Sequence, residues 1–377
     1  MLRSAPEQLI RTNIARFVDN EVIPQAQDLD HKGEFPQELF QQLAAMGVFG
    51  IRYPRNKGGA GGNTTFYCII CEDLARGLMS VAAITAMQCL MGTNFLFYHG
   101  SDEMHATYFM PAMRGEKIGC FCLTEPEAGS DLGAVATTAT KVSDGYLING
   151  MKTWVTDGPK ASFYTVLCQT DPALKFRGLG FFFVPRDFAG VSTGPPFEVL
   201  GTRTTPICEV AFKDVLIPED FCLVPAGQGV NALMSILAEI RSMTAALAIG
   251  LQQAAMTDAI KYARERVAWG RSIGKYQLIQ SKVANMATNL EASRLMTYKA
   301  TTMSDNGQDC VKEATMAKYF ATEAACRAAD ECTRIFGAYG YSMEYTAQRH
   351  YRDSRFLLNG GGTHEVLQTN IARWVGL

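Results

Sequence analysis

Eleven cysteines are the first candidates for chemistry in this 377-residue chain, because thiolates bind zinc and pair as disulfides. Their spacing supports neither use. Cys68 and Cys71 form a C-x-x-C inside "FYCIICEDLAR", where both fall on an apolar helical face. No second Cys or His pair follows at zinc-finger spacing. Free core thiols are expected, which implies a reducing compartment and a cytoplasmic protein. Other reactive types gather in short stretches, and each stretch alone has a plain structural account. "TEPEAGS" reads as an acidic turn with a capping serine. Trp154 in "KTWVTDG" sits in a β-rich run, where it can simply fill a core. Arg266 in "YARERVAWG" and Glu239 in "SILAEIRSM" can be charges on solvated helix faces. His364 and Glu365 in "NGGGTHEV" fall at a helix start, where a carboxylate complements the dipole. Gly360, Gly361 and Gly362 bring no side chain at all and read as a flexible turn.

The elements that must position these stretches fall into three segments. Residues 1–117 carry the helical period in "PEQLIRTNIARFVDNEV", "FPQELFQQLAAMGV" and "TTFYCIICEDLARGL", broken by a loop at "GGAGG". Residues 118–226 turn to strand-like runs. Within them "YLINGMKTWVT" reads as two strands around an Asn149-Gly150 hairpin turn. Residues 227–377 return to long helical patterns joined by short turns, as in an antiparallel bundle. The order predicts an α+β protein with an N-terminal α-helical domain, a middle β-domain and a C-terminal helical domain. With 47% hydrophobic residues the chain can bury large cores. A formal net charge of −2 gives no sign of a nucleic-acid partner. Apolar runs such as "GLGFFFVP" and "MTAALAIGL" fall short of the roughly 20 residues of a spanning helix, so no membrane span is expected. The N-terminal stretch lacks the apolar region of a signal peptide.

Taken in order, "FPQELFQQLAAMGVFGIRYPRNKGGAGG", "CLTEPEAGSDLGAVATTAT", "GYLINGMKTWVTDG", "RERVAWGRSIGKYQLIQ" and "FGAYGYSMEYTAQRHYRDSR" resemble the signatures of the acyl-CoA dehydrogenase flavoproteins. The likeness covers nearly the whole chain. It implies that family's fold: a helical N-terminal domain, a middle β-barrel-like domain and a C-terminal four-helix bundle. It implies FAD between the β-domain and the bundle, in a homotetramer or homodimer whose subunits help bind each other's cofactor. By the same resemblance Phe121, Leu123, Thr124, Gly129 and Ser130 line the flavin and the thioester, with Ser130 touching substrate as well. Trp154 and Thr156 cover and hydrogen-bond the ring. Arg266, Trp269 and Gln277 reach the pyrophosphate and adenosine of the neighbour's FAD, Arg266 being suited to bidentate phosphate contact. Gly337, Thr363 and Glu365 lie at cofactor-facing turns. Arg334 stands where the family usually has Gln, and Ala338 where it has Gly, so Arg334 meets either the cofactor or a subunit.

The resemblance also implies removal of a proton α to a thioester as hydride leaves the β-carbon. That needs a carboxylate whose pKa is raised by desolvation. The usual base position, just before Gly-Thr, is Gly361. The position used by some members, such as isovaleryl-CoA dehydrogenases, precedes the helix arginine Arg241 and is Ile240. Neither residue accepts a proton. Glu239 is the catalytic candidate left, yet one residue along a regular helix turns a side chain by about 100°, so it needs a π-bulge to come in. Tyr98, His99 or another group of "MGTNFLFYHGSDE" are the other candidates, and His364 reads as a helix-start residue or a contact to cofactor or substrate. Ala238 replaces an Asp often used near the pantetheine arm, which leaves Arg241 as the surviving substrate contact. Three readings follow. The protein is an acyl-CoA dehydrogenase-like oxidoreductase or reductase with a displaced proton group. Or it handles an atypical or acyl-carrier-protein-bound acyl group, for which three glycines make room. Or it is a flavin monooxygenase or partner subunit of the same fold. An electron-transferring flavoprotein is the implied electron partner, and no metal is implied.

Overall fold

The computed structural model describes residues 4–377. The helical period of the first third becomes α1 (Ala5–Phe17), α2 (Ala26–Lys32), α3 (Gln37–Ala45), α4 (Thr64–Gly77), α5 (Met79–Ala86), α6 (Asn94–His99), α7 (Asp102–Met104) and α8 (Met110–Met113). Ser4 starts α1 through a capping box with Glu7, and Asn63 caps α4 by accepting from Phe66 N at 2.9 Å, so that orphan helix donors are met locally. Glu72, buried on α4, accepts from Arg11 of α1 at 3.1 Å.

The middle segment contributes β1 (Gly119–Cys122), β2 (Thr138–Val142), β3 (Gly145–Thr156), β4 (Phe163–Gln169), β5 (Leu179–Pro185), β6 (Val191–Thr193), β7 (Ile207–Ile217) and β8 (Cys222–Val224). They form one eight-stranded sheet in the order β6-β7-β3-β2-β4-β5-β8, with β1 parallel to β4. Phe163, Tyr164, Phe181, Phe182 and Phe183 are fully buried on it. The expected hairpin at Asn149-Gly150 does not form. β3 runs straight through it as a single strand, and its register against β7 shifts between Ile148 and Gly150, a β-bulge. The bulge has a cause outside the local sequence. Asn149 and Asp214 of β7 exchange bonds of 3.1 and 2.8 Å, and a Cβ on Gly150 would strike Thr137 Oγ1 at 2.5 Å.

The C-terminal segment has three long helices, α9 (Gly229–Glu265), α10 (Gln277–Asp305) and α11 (Val311–Phe336), and two short ones, α12 (Thr346–Ser354) and α13 (His364–Trp374). The short ribbon β9 (Val267–Ala268) and β10 (Arg271–Ser272) joins α9 to α10. The fourth place in the bundle is taken by α12, which packs on α9 and α11, and α13, which packs on α11. The triglycine turn lies between them. Arg294 of α10 gives a second cation to Glu72 at 3.1 Å, and the Tyr298 hydroxyl donates to the same carboxylate. α9 and the stretch from Met79 to His99 are long and apolar enough to cross a membrane, yet both lie mostly buried inside the fold. Their apolarity is that of core helices packed on several sides. All eleven cysteines are free, ten of them buried, and no metal-ligating cluster occurs among the described residues.

Candidate active site

A buried ion pair joins the first two stretches of the site. Lys152 of β3 reaches Glu125 Oε1 at 2.7 Å and the Leu123 carbonyl at 3.0 Å. Glu125 also accepts the backbone N–H groups of Ala136 and Thr137 at 2.7 and 2.9 Å. Burial pushes the Glu125 carboxyl up, but Lys152 and these donors outweigh it and hold the group below its ordinary range. One residue on, Thr153 N donates to Thr124 O at 2.9 Å. The "TEPEAGS" turn is thereby bound to β3 directly beside Trp154. By residue type, Lys152 and Glu125 read as surface charges, and only the fold pairs them.

Trp154 then turns outward. β3 shifts register again between Lys152 and Val155, and Trp154 takes a left-handed φ of 58°, a region few L-residues occupy. Its indole is 60% exposed and lies 4.9 Å from the Phe197 ring. The side-chain direction of Gly129 meets nothing within 4 Å, and Ser130 is exposed while Thr124 and Thr156 are half-buried. An outward aromatic face next to an open, hydroxyl-bearing turn fits a planar ring such as the isoalloxazine of FAD. Phe121 and Leu123 back this turn, Phe121 stacked 5.6 Å from Phe181.

Asp157 follows the strand, and neither of its buried oxygens has a hydrogen-bond partner among the described residues. Burial alone pushes its carboxyl up to about 8, so below that pH it is a neutral acid. A carboxyl raised from an unfolded value near 3.9 favours the fold fully below pH 4, and that advantage is lost as pH rises through 8. Asp157→Asn keeps the shape and tolerates the left-handed φ of 59°. We expect it to stabilise the protein by about 2 kcal/mol at pH 8.5 and to have little effect at pH 4, on the scale of 1.4 kcal/mol per pKa unit reduced for relaxation. Thermal melts at the two pH values measure this, and an equal effect at both would exclude a titrating Asp157.

The glycine turn packs against α9. A Cβ on Gly361 would stand 3.4 Å from Ile240 Cγ2 and 3.2 Å from Thr244 Oγ1. The two positions at which the resemblance implies a base therefore face one another, and a glycine and an apolar side chain occupy them. Glu239 does not come in. α9 is regular here, and Arg52 of the N-terminal segment holds the carboxylate, with Nε 2.9 Å from Oε2. Glu239 is thus neither the solvent-facing charge nor the base. Tyr98 and His99 end α6 exposed, packed on Phe97 and Phe95. His364 is buried against α11, where it meets Thr322 Oγ1 at 2.8 Å and Glu323 Oε1 at 2.9 Å. Glu365 stays exposed in the first turn of α13, and Thr363 is its half-buried N-cap residue.

Two cations border the same turn. The side-chain direction of Gly362 runs toward Arg241 Nη2 at 4.0 Å. Arg241 donates from Nη1 to Thr315 Oγ1 at 2.6 Å, and its Nε has no partner among the described residues. Lys318 of α11 donates to the Gly362 and Leu358 carbonyls at 2.8 and 3.4 Å. Burial holds Arg241 down to about 10, and burial together with Arg241 holds Lys318 down to about 8.

The remaining expected cofactor residues lie on another face. Arg266 sits 6.0 Å from the Tyr339 ring, close to the left-handed Gly337 that ends α11. Trp269, at the tip of the β9–β10 ribbon, is 91% exposed, and Gln277 begins α10 in the open. Arg334 pairs with Asp330 on its own helix at 2.6 Å.

Comparison with known proteins places this geometry. Residues 4–116, 120–215 and 227–376 match the N-terminal, middle and C-terminal domains of acyl-CoA dehydrogenase. Benzylmalonyl-CoA dehydrogenase of Aromatoleum aromaticum is 44% identical over 98% of this chain and 97% of its own length. 3-(Aryl)acrylate reductase of Clostridium sporogenes is 39% identical over 99% of both. The structure of butyryl-CoA dehydrogenase from Megasphaera elsdenii superposes with a TM-score of 0.96 at 31% identity, over 100% of this chain and 99% of that one.

Proposed function

The chain belongs to the acyl-CoA dehydrogenase family and is an FAD-dependent oxidoreductase acting on the CH–CH group of acyl thioesters, and we propose that its substrate carries an aryl group on C3. The observation that carries this reading is the pairing of Gly361 with Ile240. Where a carboxylate would stand there are a glycine and the apolar side chain of Ile240, which offer a ring an apolar surface and no proton acceptor. Two relatives support it, one acting on a benzylmalonyl thioester and the other on 3-arylacrylates.

When bound, FAD supplies the hydride acceptor for C3. The chain's own residues bind, orient and exclude water. Thr124, Ser130 and Thr156 offer hydroxyl donors to a ring covered by Trp154, and donors aimed at developing negative charge act strongly in a site emptied of water. Arg241, which borders the glycine turn 4.0 Å from the Gly362 side-chain position, is the cation proposed to meet the thioester. Arg266, Trp269 and Gln277 form the exposed face proposed to hold a neighbouring subunit's cofactor, in a homotetramer or homodimer. Trp269 is 91% exposed and meets only the Tyr276 ring edge-on at 6.0 Å among the aromatic contacts of the described residues. CoA is the carrier in this reading, an electron-transferring flavoprotein the electron partner, and the cytoplasm the compartment.

Anaerobic titration of the flavoprotein tests the substrate. Cinnamoyl-CoA should shift the flavin spectrum at a concentration about tenfold below crotonyl-CoA, since burying a ring is worth 1.4 kcal/mol or more. Equal affinities would remove the aryl assignment. A colourless protein that takes up no FAD would remove the whole reading.

A further inference from the structure

Asp157 directly follows Thr156, which offers its hydroxyl to the flavin ring, so the two Cα atoms are about 3.8 Å apart. It is 1% exposed, and neither carboxyl oxygen has a hydrogen-bond partner among the described residues. Its backbone is tied on both sides. Asp157 N donates to the Pro206 carbonyl at 2.8 Å, and Lys160 N donates to the Asp157 carbonyl at 2.8 Å. The residue is thereby fixed at its left-handed φ of 59° with the carboxyl inside the fold. No ion pair with it occurs among the described residues. Cys120 of β1 lies within electrostatic reach, and burial pushes its thiol well up, so it stays neutral. The Tyr164 hydroxyl of β4, also held neutral by burial, donates to the Gly158 carbonyl at 3.1 Å. A Cβ on Gly158 would stand 2.7 Å from Cys208 Sγ of β7, whose thiol burial pushes up to about 11. Arg186 gives its guanidinium donors to the Gly158 and Pro159 carbonyls at 3.0 and 2.7 Å and to Thr193 Oγ1 at 3.4 Å. The Lys160 ammonium lies 6.0 Å from the Phe35 ring.

A carboxyl so placed responds to any charge that appears beside it, because neither water nor a counter-ion screens it. The charge that appears here belongs to the cofactor, since addition of a hydride turns a neutral flavin ring into an anion. Two unit charges about 10 Å apart at an effective dielectric of about 20 alter a proton affinity by about tenfold. We propose that Asp157 is a redox-linked proton site, which binds one solvent proton as the flavin ring becomes anionic and releases it when the ring is reoxidised. The step balances. Both electrons arrive on the ring with the hydride, and at Asp157 a carboxylate and a proton become a neutral carboxyl with no change of oxidation state. The consequence is a pH-dependent electron affinity. Where Asp157 is ionised it opposes charge on the ring, and the bound flavin is a weaker oxidant than where Asp157 is neutral. Asp157 acts through its charge as a tuning residue. The inference rests on FAD binding, and neither the aryl assignment nor the glycine turn enters it.

The midpoint potential of the FAD-loaded protein, measured by dye equilibration without substrate, reads this linkage in wild type and in Asp157→Asn. Asparagine has the shape of the neutral acid and tolerates the same φ, so the two proteins should have similar potentials well below pH 8, the value to which burial pushes the carboxyl. At pH about 10 the reduction equilibrium of the wild type should lie about tenfold below that of the variant, which is about 30 mV for a two-electron couple. An offset between the two that stays constant with pH would leave Asp157 a structural role only and overturn the inference. Reduced-minus-oxidised infrared spectra at pH about 8.5 observe the carboxyl itself. Wild type should gain a protonated-carboxyl band that moves on carbon-13 labelling of aspartate and is missing from Asp157→Asn. No such band, or the same band in the variant, would equally overturn it. Should Asp157→Asn fail to fold, Asp157→Gly, which also removes the carboxyl and suits a left-handed φ, takes its place. A colourless wild-type protein would remove the FAD reading, whereas a yellow protein without the pH-dependent divergence removes this inference alone.

Discussion

Ile240→Glu is expected to speed flavin bleaching by plain 3-phenylpropanoyl-CoA by about 10²–10⁴-fold, the span that a positioned general base contributes. Ile240 lies in regular helix on α9, so a glutamate there needs no change of backbone. Its Cγ2 already stands 3.4 Å from the place a Gly361 side chain would leave. Burial would raise the pKa of the new carboxyl and Arg241 would lower it, which keeps the group ionisable near neutral pH. Gly361→Glu is expected to give a smaller gain. Its φ of 73° is left-handed and costs an L-residue about 1–2 kcal/mol, and its Cβ would press Thr244 Oγ1 at 3.2 Å. Stopped-flow traces under anaerobic conditions measure both variants. An unchanged rate in Ile240→Glu would mean that C2 does not sit against Ile240.

Lys152→Met should lower stability by about 3–5 kcal/mol, the usual result of removing one partner of a buried ion pair. Methionine matches the length of the lysine stem, so the loss reports charge and hydrogen bonding more than volume. Glu125 would keep its bonds from Ala136 and Thr137 but lose its ion-pair partner among the described residues, and the Leu123 carbonyl would lose its donor. Because the pair fixes the turn beside Trp154, FAD retention should fall with stability. Chemical denaturation gives the first quantity and flavin content after gel filtration the second. A loss below about 1 kcal/mol, the level of an exposed pair, would mean that water compensates Glu125.

Much of the architecture was legible because its signals are local. The 37-residue α9 announces itself by period alone, and five motifs in order point to one fold. The Asn149-Gly150 pair shows where local reading stops. Turn and bulge use the same two residues, and the choice was made by Asp214 and Thr137, which no window around Asn149 contains. The site divides in the same way. That Gly361 and Ile240 both lack a carboxylate can be read from the chain, but that they face each other is a fact of packing between α9 and the turn before α13. The engagement of Glu239 by Arg52, the Lys152–Glu125 pair and the unpaired state of Arg241 are likewise contacts between distant segments. Residue type gives such groups a charge but not a neighbour.

Glu72 bears on how the molecule comes apart. One carboxylate on α4 is shared by Arg11 near the N-terminus and by Arg294 and Tyr298 far along α10. The N-terminal and C-terminal segments match separate domain descriptions, yet neither can leave the other without stranding buried charge. We expect the two segments to unfold together although they match separate domain descriptions, and separate calorimetric transitions would show that the shared carboxylate does not couple them.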